Sequence, residues 1–542
     1  MYCVQEMCRG TQLEATPQQI TSSGVDDDLA IAGVLSPRPK VVGEIVSYNG
    51  SSLTALSGVQ APETGPQSES PEREHGLKGN LGIFALVCTV LAFNAPLGTI
   101  AGVMPVAIGL GNGAGAPIFY LVGAAIMSLM AIGFIKMSRY IKNSGGFYSF
   151  VTAGLGREMG LGTAFLATSG YIVQTLGSMI FGGVALNGLV SGVLKGPHIP
   201  WWLYALASVL VIGVLGYFRL DVSAKVLTFL LGAEILFVLA YDAVIVFHGG
   251  ATGLDVSSSL SISTIFSGSF GVALLIGVMG LGGFEATVVF REEVRNPERT
   301  VAISTYLFIA IVGIMYGLTC WVMVQAAGSR SAQAFYAADP AGNLLATVRT
   351  YLGTVSYDLI NVLLNTSILA ASLALHNISA RYVYNLGRDR ILPQFFGAAH
   401  VRHDSPYRAS VLVSLLVGGG VLLAVALRVD ENFFFAQLLG AFGYAFMIML
   451  LITTAAVAVF LTRLKAPETN LWHRLIAPGL AFIGVGAVLV LATMNLDVLF
   501  TAPKSTTYVI VAVMYSTVVL GVVVALILKR VRPETYARIG RQ

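Results

Sequence analysis

From Asn80 onward the chain repeats an apolar stretch long enough to cross a bilayer, twelve times over, with polar breaks between the stretches. A spanning helix needs roughly 20 mostly apolar residues, because the hydrocarbon core holds no water to satisfy backbone N–H and C=O groups. The stretches lie near 81–111, 116–138, 160–193, 201–217, 224–248, 266–290, 301–327, 357–385, 409–428, 433–462, 474–496 and 506–528. The fourth is short and uses the Trp201-Trp202 pair as an interfacial anchor. Composition agrees: 55% of residues are hydrophobic and 11% charged, against about 25% charged in soluble domains. Mean hydropathy is +0.77. The expected fold class is an all-α polytopic membrane protein with twelve transmembrane helices.

Residues 1–79 are a different material, rich in Ser, Gln, Glu, Pro and Gly, as in Gln67-Ser68-Glu69-Ser70-Pro71-Glu72. Such a segment buries too little apolar surface to offset its ordering entropy, so it reads as a disordered cytoplasmic tail. No basic region followed by a short apolar run opens the chain, and a cleaved signal peptide is not expected. The four cysteines, Cys3, Cys8, Cys88 and Cys320, are scattered and set out neither a disulfide framework nor a metal site. The net charge of +4 is a topology signal. Lys136, Arg139, Arg157, Arg291, Arg295, Arg388, Arg390, Arg463 and Lys529 fall on one set of loops, whereas the other set holds only Lys195, Arg330, Arg349, Arg428 and Lys504. By the positive-inside rule both termini are cytoplasmic, in a multi-pass protein of the plasma (inner) membrane. A nucleic-acid partner gets no support from this distribution; the macroscopic partner is the lipid bilayer. Oligomeric state is not legible.

Two of the stretches are broken near their midpoints, at corresponding places in the two halves of the chain. The first carries Asn94-Ala95-Pro96-Leu97-Gly98-Thr99, and the sixth carries Gly277, Gly280, Leu281, Gly282 and Gly283. Proline removes a backbone donor, and clustered glycines ease non-helical backbone. Irregular backbone at membrane depth is tolerated only where it lines a cavity, and paired breaks of this kind mark the substrate site of a secondary transporter. The candidate substrate-binding residues are therefore Pro96, Leu97, Gly98 and Thr99 with Gly280, Leu281, Gly282 and Gly283. New helix N-termini near Thr99 and Gly283 offer N–H groups to a carboxylate, and the freed carbonyls suit an ammonium or a cation. The competing reading is a plain helix contact through small residues at Gly277, Gly280 and Gly283.

Three segments carry a family likeness. They are Asn143-Ser144-Gly145-Gly146-Phe147-Tyr148 with Gly154-Leu155-Gly156, then Gly283-Phe284-Glu285 with Glu292-Glu293-Val294-Arg295-Asn296-Pro297, and finally Asn377 with Arg381-Tyr382 and Gly387-Arg388-Asp389-Arg390-Ile391-Leu392-Pro393. In order and spacing across about 450 residues the chain resembles the permeases of the amino acid-polyamine-organocation (APC) superfamily, of the bacterial amino acid permease type. The resemblance implies a LeuT-like 5+5 inverted repeat, with helices 1 and 6 broken and two extra helices behind. The implied organisation is a ten-helix transport core over 80–462, two further helices over 463–530 and a cytoplasmic tail at 531–542. The chain departs from the family where substrates are chosen: Gly98, Thr99 and Ile100 stand in place of the usual Gly-Ser-Gly, and Ala302 replaces a common proline.

Ionisable residues inside spans cost about 2.5–3.5 kcal/mol on insertion scales, so each needs a reason. Glu234 is the deepest in the fifth span. Burial favours the neutral form of a carboxyl, the property of a proton carrier, so Glu234 is the coupling candidate, set against structural pairing. Glu285 matches a family position with an inner-gate role, or pairs with Arg291. Asp242 and His248 read as interfacial, and His376 as a packing histidine. Spans three, eight and ten face the broken pair in the implied architecture, so Tyr171, Gln174, Thr366 and Ser367, with Gln437 and Tyr444, are candidate pocket side chains.

The function these features imply is secondary active transport of an amino acid or related amine by alternating access, proton-coupled or by exchange. The alternative is a potassium or polyamine transporter of the same fold. A channel would show rings of charge or repeated filter loops, and an enzyme paired ligands or a nucleophile with its base; neither pattern is present in the sequence. No cofactor and no metal site are expected.

Overall fold

The computed structural model describes residues 82–141, 146–218, 224–289, 291, 294–400, 403, 405–465 and 469–540. The expected tail over 1–79, Asn143-Ser144-Gly145 of the glycine loop and Glu292-Glu293 of the second signature lie outside the described residues. Every regular element among the described residues is helical. In chain order they are α1 (Ile83–Asn94), α2 (Pro96–Gly102), α3 (Met104–Val106), α4 (Ala116–Met137), α5 (Phe147–Leu155), α6 (Arg157–Asn187), α7 (Trp201–Phe218) and α8 (Ala224–His248). Then come α9 (Val256–Leu260), α10 (Ile262–Ile265), α11 (Phe270–Met279), α12 (Ala286–Val289), α13 (Pro297–Ala327), α14 (Ala332–Ala338) and α15 (Asn343–Arg388). The chain continues through α16 (Tyr407–Ala426), α17 (Glu431–Leu464), α18 (Ala477–Met494), α19 (Leu496–Leu499), α20 (Lys504–Val531) and α21 (Pro533–Arg538).

Among the described residues, 11 helical segments are long and apolar enough to cross a membrane. The sixth expected span is not among them, because it is not one helix: α11 has ten residues, a run of turns follows from Gly280 to Glu285, and α12 has four. Ten residues rise only about 15 Å, half a hydrocarbon core. The first span is also divided. Ala95 sits in the left-handed region at φ 48°, which ends α1 and starts α2 at Pro96. An alanine held there costs about 1–2 kcal/mol, so the surrounding packing must over-determine it.

The long helix α6 is central, packing against α5, α7, α15, α17 and α20. The helices α13 and α17 are the most enclosed, whereas α20 presents Val509, Val513, Val519 and Leu520 outward. Outward apolar faces on spanning helices are what lipid requires. The end of the described chain is docked: Ile539 is buried, Gly540 N–H donates to Tyr148 Oη at 2.8 Å, and Tyr148 donates to Asp389 at 2.7 Å. Lys529 and Tyr536 both bond Glu158, at 2.9 and 2.7 Å.

The glycines of the sixth span divide between the two readings set out for them. Gly277 is a packing glycine: a Cβ there would lie 2.5 Å from the Phe119 carbonyl oxygen, where α11 crosses α4 backbone to backbone beside Gly123. Gly283 is a conformational one, with φ 103°. Gly277→Ala is therefore expected to force α11 off α4, at about 1–3 kcal/mol for overpacking. A clear fall in the unfolding temperature of the detergent-purified protein is the check, and an unchanged midpoint would contradict the close crossing.

Candidate functional site

The two breaks face each other across one side chain. Asn94, the last residue of α1, donates from Nδ2 to the carbonyls of Gly280 at 3.1 Å and Gly282 at 2.8 Å, and its Oδ1 accepts the Tyr316 hydroxyl of α13. Thr99 Oγ1 donates back to the Asn94 carbonyl at 3.2 Å. One amide thus closes the carbonyls that a helix end at membrane depth leaves open. Asn94 belongs to the interrupted motif but was not among the expected site residues, although its amide offers two donors and an acceptor beside that break.

Between the breaks lies a cavity of about 160 Å³. Of the expected substrate-binding residues, Gly98, Thr99, Gly280, Gly282 and Gly283 line it; Leu97 and Leu281 point into the core and are buried, and Pro96 faces elsewhere. Tyr171 and Gln174 on α6 line the cavity, and so does Glu285. Thr366 and Ser367 do not; with Pro96 and Glu234 they border a separate hollow of about 20 Å³. Gln437 and Tyr444 turn away, bonding Thr501 and Thr493.

The remaining lining was not anticipated, yet its spacing is helical. Ser178 and Phe181 extend the face begun by Tyr171 and Gln174, at steps of three and four residues. Phe435, Leu439, Phe442 and Phe446 do the same on α17, and Ile368, Ala371 and Leu375 on α15. Aromatic rings close both ends. Toward the Gly188 end of α6, Phe181 stacks on Phe435 with centroids 4.7 Å apart, and behind Phe181 opens a second cavity of about 400 Å³ that Asp339, Arg349 and Asn361 also line. Toward the Arg157 end, Tyr171 stacks on Tyr382 at 5.6 Å and meets Phe442, which continues through Phe446 to Phe147.

The acids take defined places. Glu234 on α8 is 4% exposed and accepts from Ser367 Oγ at 3.0 Å and from the Leu97 N–H at 3.4 Å. It therefore ties α8 to α15 and to the first open N–H of α2. Glu285 does not pair with Arg291, which reaches Ser138 instead; its Oε2 accepts the Gly283 N–H at 2.9 Å. Asp242 is 5% exposed and accepts from Thr319 Oγ1 at 2.8 Å. His376 is buried against Ser414, as a packing histidine would be, and His248 is exposed. No group of three or more potential metal ligands occurs among the described residues.

A family model for amino acid permeases matches residues 93–534. The chain belongs to the amino acid permease family. The permease is a multi-pass membrane transport protein and not an enzyme. It is 28% identical over 290 residues to an uncharacterized transporter of Rhizobium meliloti, across 52% of this chain and 56% of that protein. It is 24% identical to the branched-chain amino acid permease BcaP of Bacillus subtilis, across 73% of this chain and 83% of that one. With the low-affinity putrescine importer PlaP of Escherichia coli it shares 21% identity, across 64% and 75%.

Proposed function

We propose that the permease is a secondary active transporter that moves an amino acid or related amine across the plasma membrane by alternating access, with both termini cytoplasmic. The observation that carries this reading is the cavity of about 160 Å³ enclosed by the two divided spans, with aromatic closures at its two ends. A carrier needs one site reachable from either side in turn, and broken spans with gates on both sides supply it. A LeuT-like 5+5 repeat accounts for the breaks falling in the first and sixth spans. The Phe181–Phe435 pair is then the outer gate, with the cavity of about 400 Å³ as its vestibule. The Tyr171–Tyr382 layer, with Glu285 beside it, is the inner gate. Glu234 carries the coupling proton, because it joins the movable α2 to α8 and α15 through bonds that depend on its charge.

Potassium is the weaker substrate. A bare cation needs a shell of oxygens in place of its water, and the Gly280 and Gly282 carbonyls are already bonded to Asn94. The relatives named for branched-chain amino acids and for putrescine support an organic solute. The test is uptake by purified protein in liposomes, screening labelled amino acids and amines with and without a pH gradient. Saturable uptake of one of them supports the reading; a folded protein that moves none overturns it.

A further inference from the structure

Resting on that transporter reading, the cavity's own hydrogen bonds narrow the solute further. In a binding site between two helix breaks, the natural partners for a substrate carboxylate are backbone N–H groups at the new helix N-termini. In this permease those of the first break are all taken, and so is that of Gly283 at the second. At the first break Pro96 has no N–H, Leu97 N–H faces Glu234, Gly98 N–H faces Ser367 Oγ at 3.3 Å, and Thr99 N–H bonds the Ala95 carbonyl at 3.1 Å. At the second, the N–H groups of Gly280, Leu281 and Gly282 bond carbonyls of the preceding turn, and that of Gly283 bonds Glu285. Glu234 and Ser367 face the N–H groups of the first cradle, and Glu285 takes the Gly283 N–H of the second.

Among the described residues the lining holds no lysine, arginine or histidine. The donors left in it are neutral, chiefly the Gln174 amide and the Tyr171 hydroxyl. They would have to hold a buried carboxylate in the same small space as Glu285, and an unpaired or repelled buried charge is costly. For a cation the balance reverses. Among the described residues Glu285 is the one carboxyl in the lining and Gln174 Oε1 is a buried acceptor with no partner, and aromatic faces attract an ammonium. A single acid matches a single positive charge; the second ammonium of a diamine would rest against Phe, Leu and Ile side chains. The volume sets the body, since a cavity of about 150 Å³ lined by apolar side chains accommodates benzene.

We infer that the substrate is a small primary monoamine with an apolar body and no carboxylate, its ammonium held by Glu285. The tests use purified full-length protein with isoamylamine and phenethylamine, their parent amino acids leucine and phenylalanine, and putrescine. Neutral amines leak through lipid, so stabilisation against thermal unfolding by each compound is measured beside uptake corrected for protein-free liposomes. Each monoamine is expected to bind and move at least tenfold better than its parent amino acid and than putrescine. Glu285→Gln should cut monoamine binding more than tenfold, and Glu285→Asp, which keeps the charge, should recover part of it in protein that stays monodisperse. Preference for leucine or phenylalanine would overturn this inference and leave the transporter reading standing. Preference for putrescine would overturn the single-charge argument. A monodisperse protein that binds and moves none of the five would overturn this inference, and the transporter reading would then rest on the wider screen of amino acids and amines.

Discussion

Asn94→Ala is expected to abolish measurable uptake and to lower the stability of the purified permease by several kcal/mol. The alanine removes two donors to the Gly280 and Gly282 carbonyls and the acceptor of the Tyr316 hydroxyl together. Each buried group left without a partner costs about 1–3 kcal/mol, and here three lie at membrane depth, where lipid offers no replacement. The loss would fall on the geometry of both breaks at once, so transport should fail beyond what destabilisation alone explains. Tyr316→Phe deletes only one of the three bonds and should be milder, at about 1 kcal/mol. In the double variant the two losses should not add, since they share a partner. Uptake by Asn94→Ala at the wild-type rate would show that the amide does not hold the two spans.

Glu234→Gln is expected to reduce gradient-driven accumulation to the level of simple equilibration while leaving substrate exchange intact. Glutamine keeps the size of the side chain and an oxygen that can accept from Ser367 and Leu97, so the link between α8, α15 and α2 survives in outline. What it loses is the ability to load and release a proton. If one proton accompanies each solute, a pH difference of one unit drives about tenfold accumulation, since one unit is worth about 1.4 kcal/mol. The measurement is the steady-state ratio of internal to external solute in liposomes under an imposed pH gradient. A ratio unchanged from wild type would remove Glu234 from coupling and leave it a structural tie. Ser367→Ala serves as the contrast: it deletes a donor to the carboxylate but leaves the titratable carboxyl in place, so it should change the rate of accumulation more than its limit.

Much of the architecture was legible in the linear chain, for a physical reason specific to lipid. Because spans must satisfy their own backbone, length and hydropathy alone located them, and the same constraint made Pro96 and Gly283 conspicuous. The corrections concern side chains. Thr366 and Ser367 were chosen as polar residues on the right helix, but the cavity face of α15 runs through Ile368, Ala371 and Leu375, one position round the turn. That Asp242, near the end of its span, has a buried partner in Thr319 on α13 was likewise not legible in the chain. The aromatic face of α17 was readable from its own spacing at Phe435, Leu439, Phe442 and Phe446, but nothing local distinguishes a cavity face from a core face.

Sequence alone therefore determined that this chain crosses a membrane repeatedly, which two crossings come apart, and to which family it is similar, because these follow from hydropathy, backbone donors and motif order along one dimension. Only the tertiary structure decided what fills the breaks. That Asn94 closes the carbonyls of residues 186 and 188 positions away, and that Glu234 and Glu285 occupy the N–H groups a substrate carboxylate would have used, depend on contacts between distant segments. Hydrogen bonds of that kind are set by where packed helices place their atoms in three dimensions, and no periodicity in the chain encodes them.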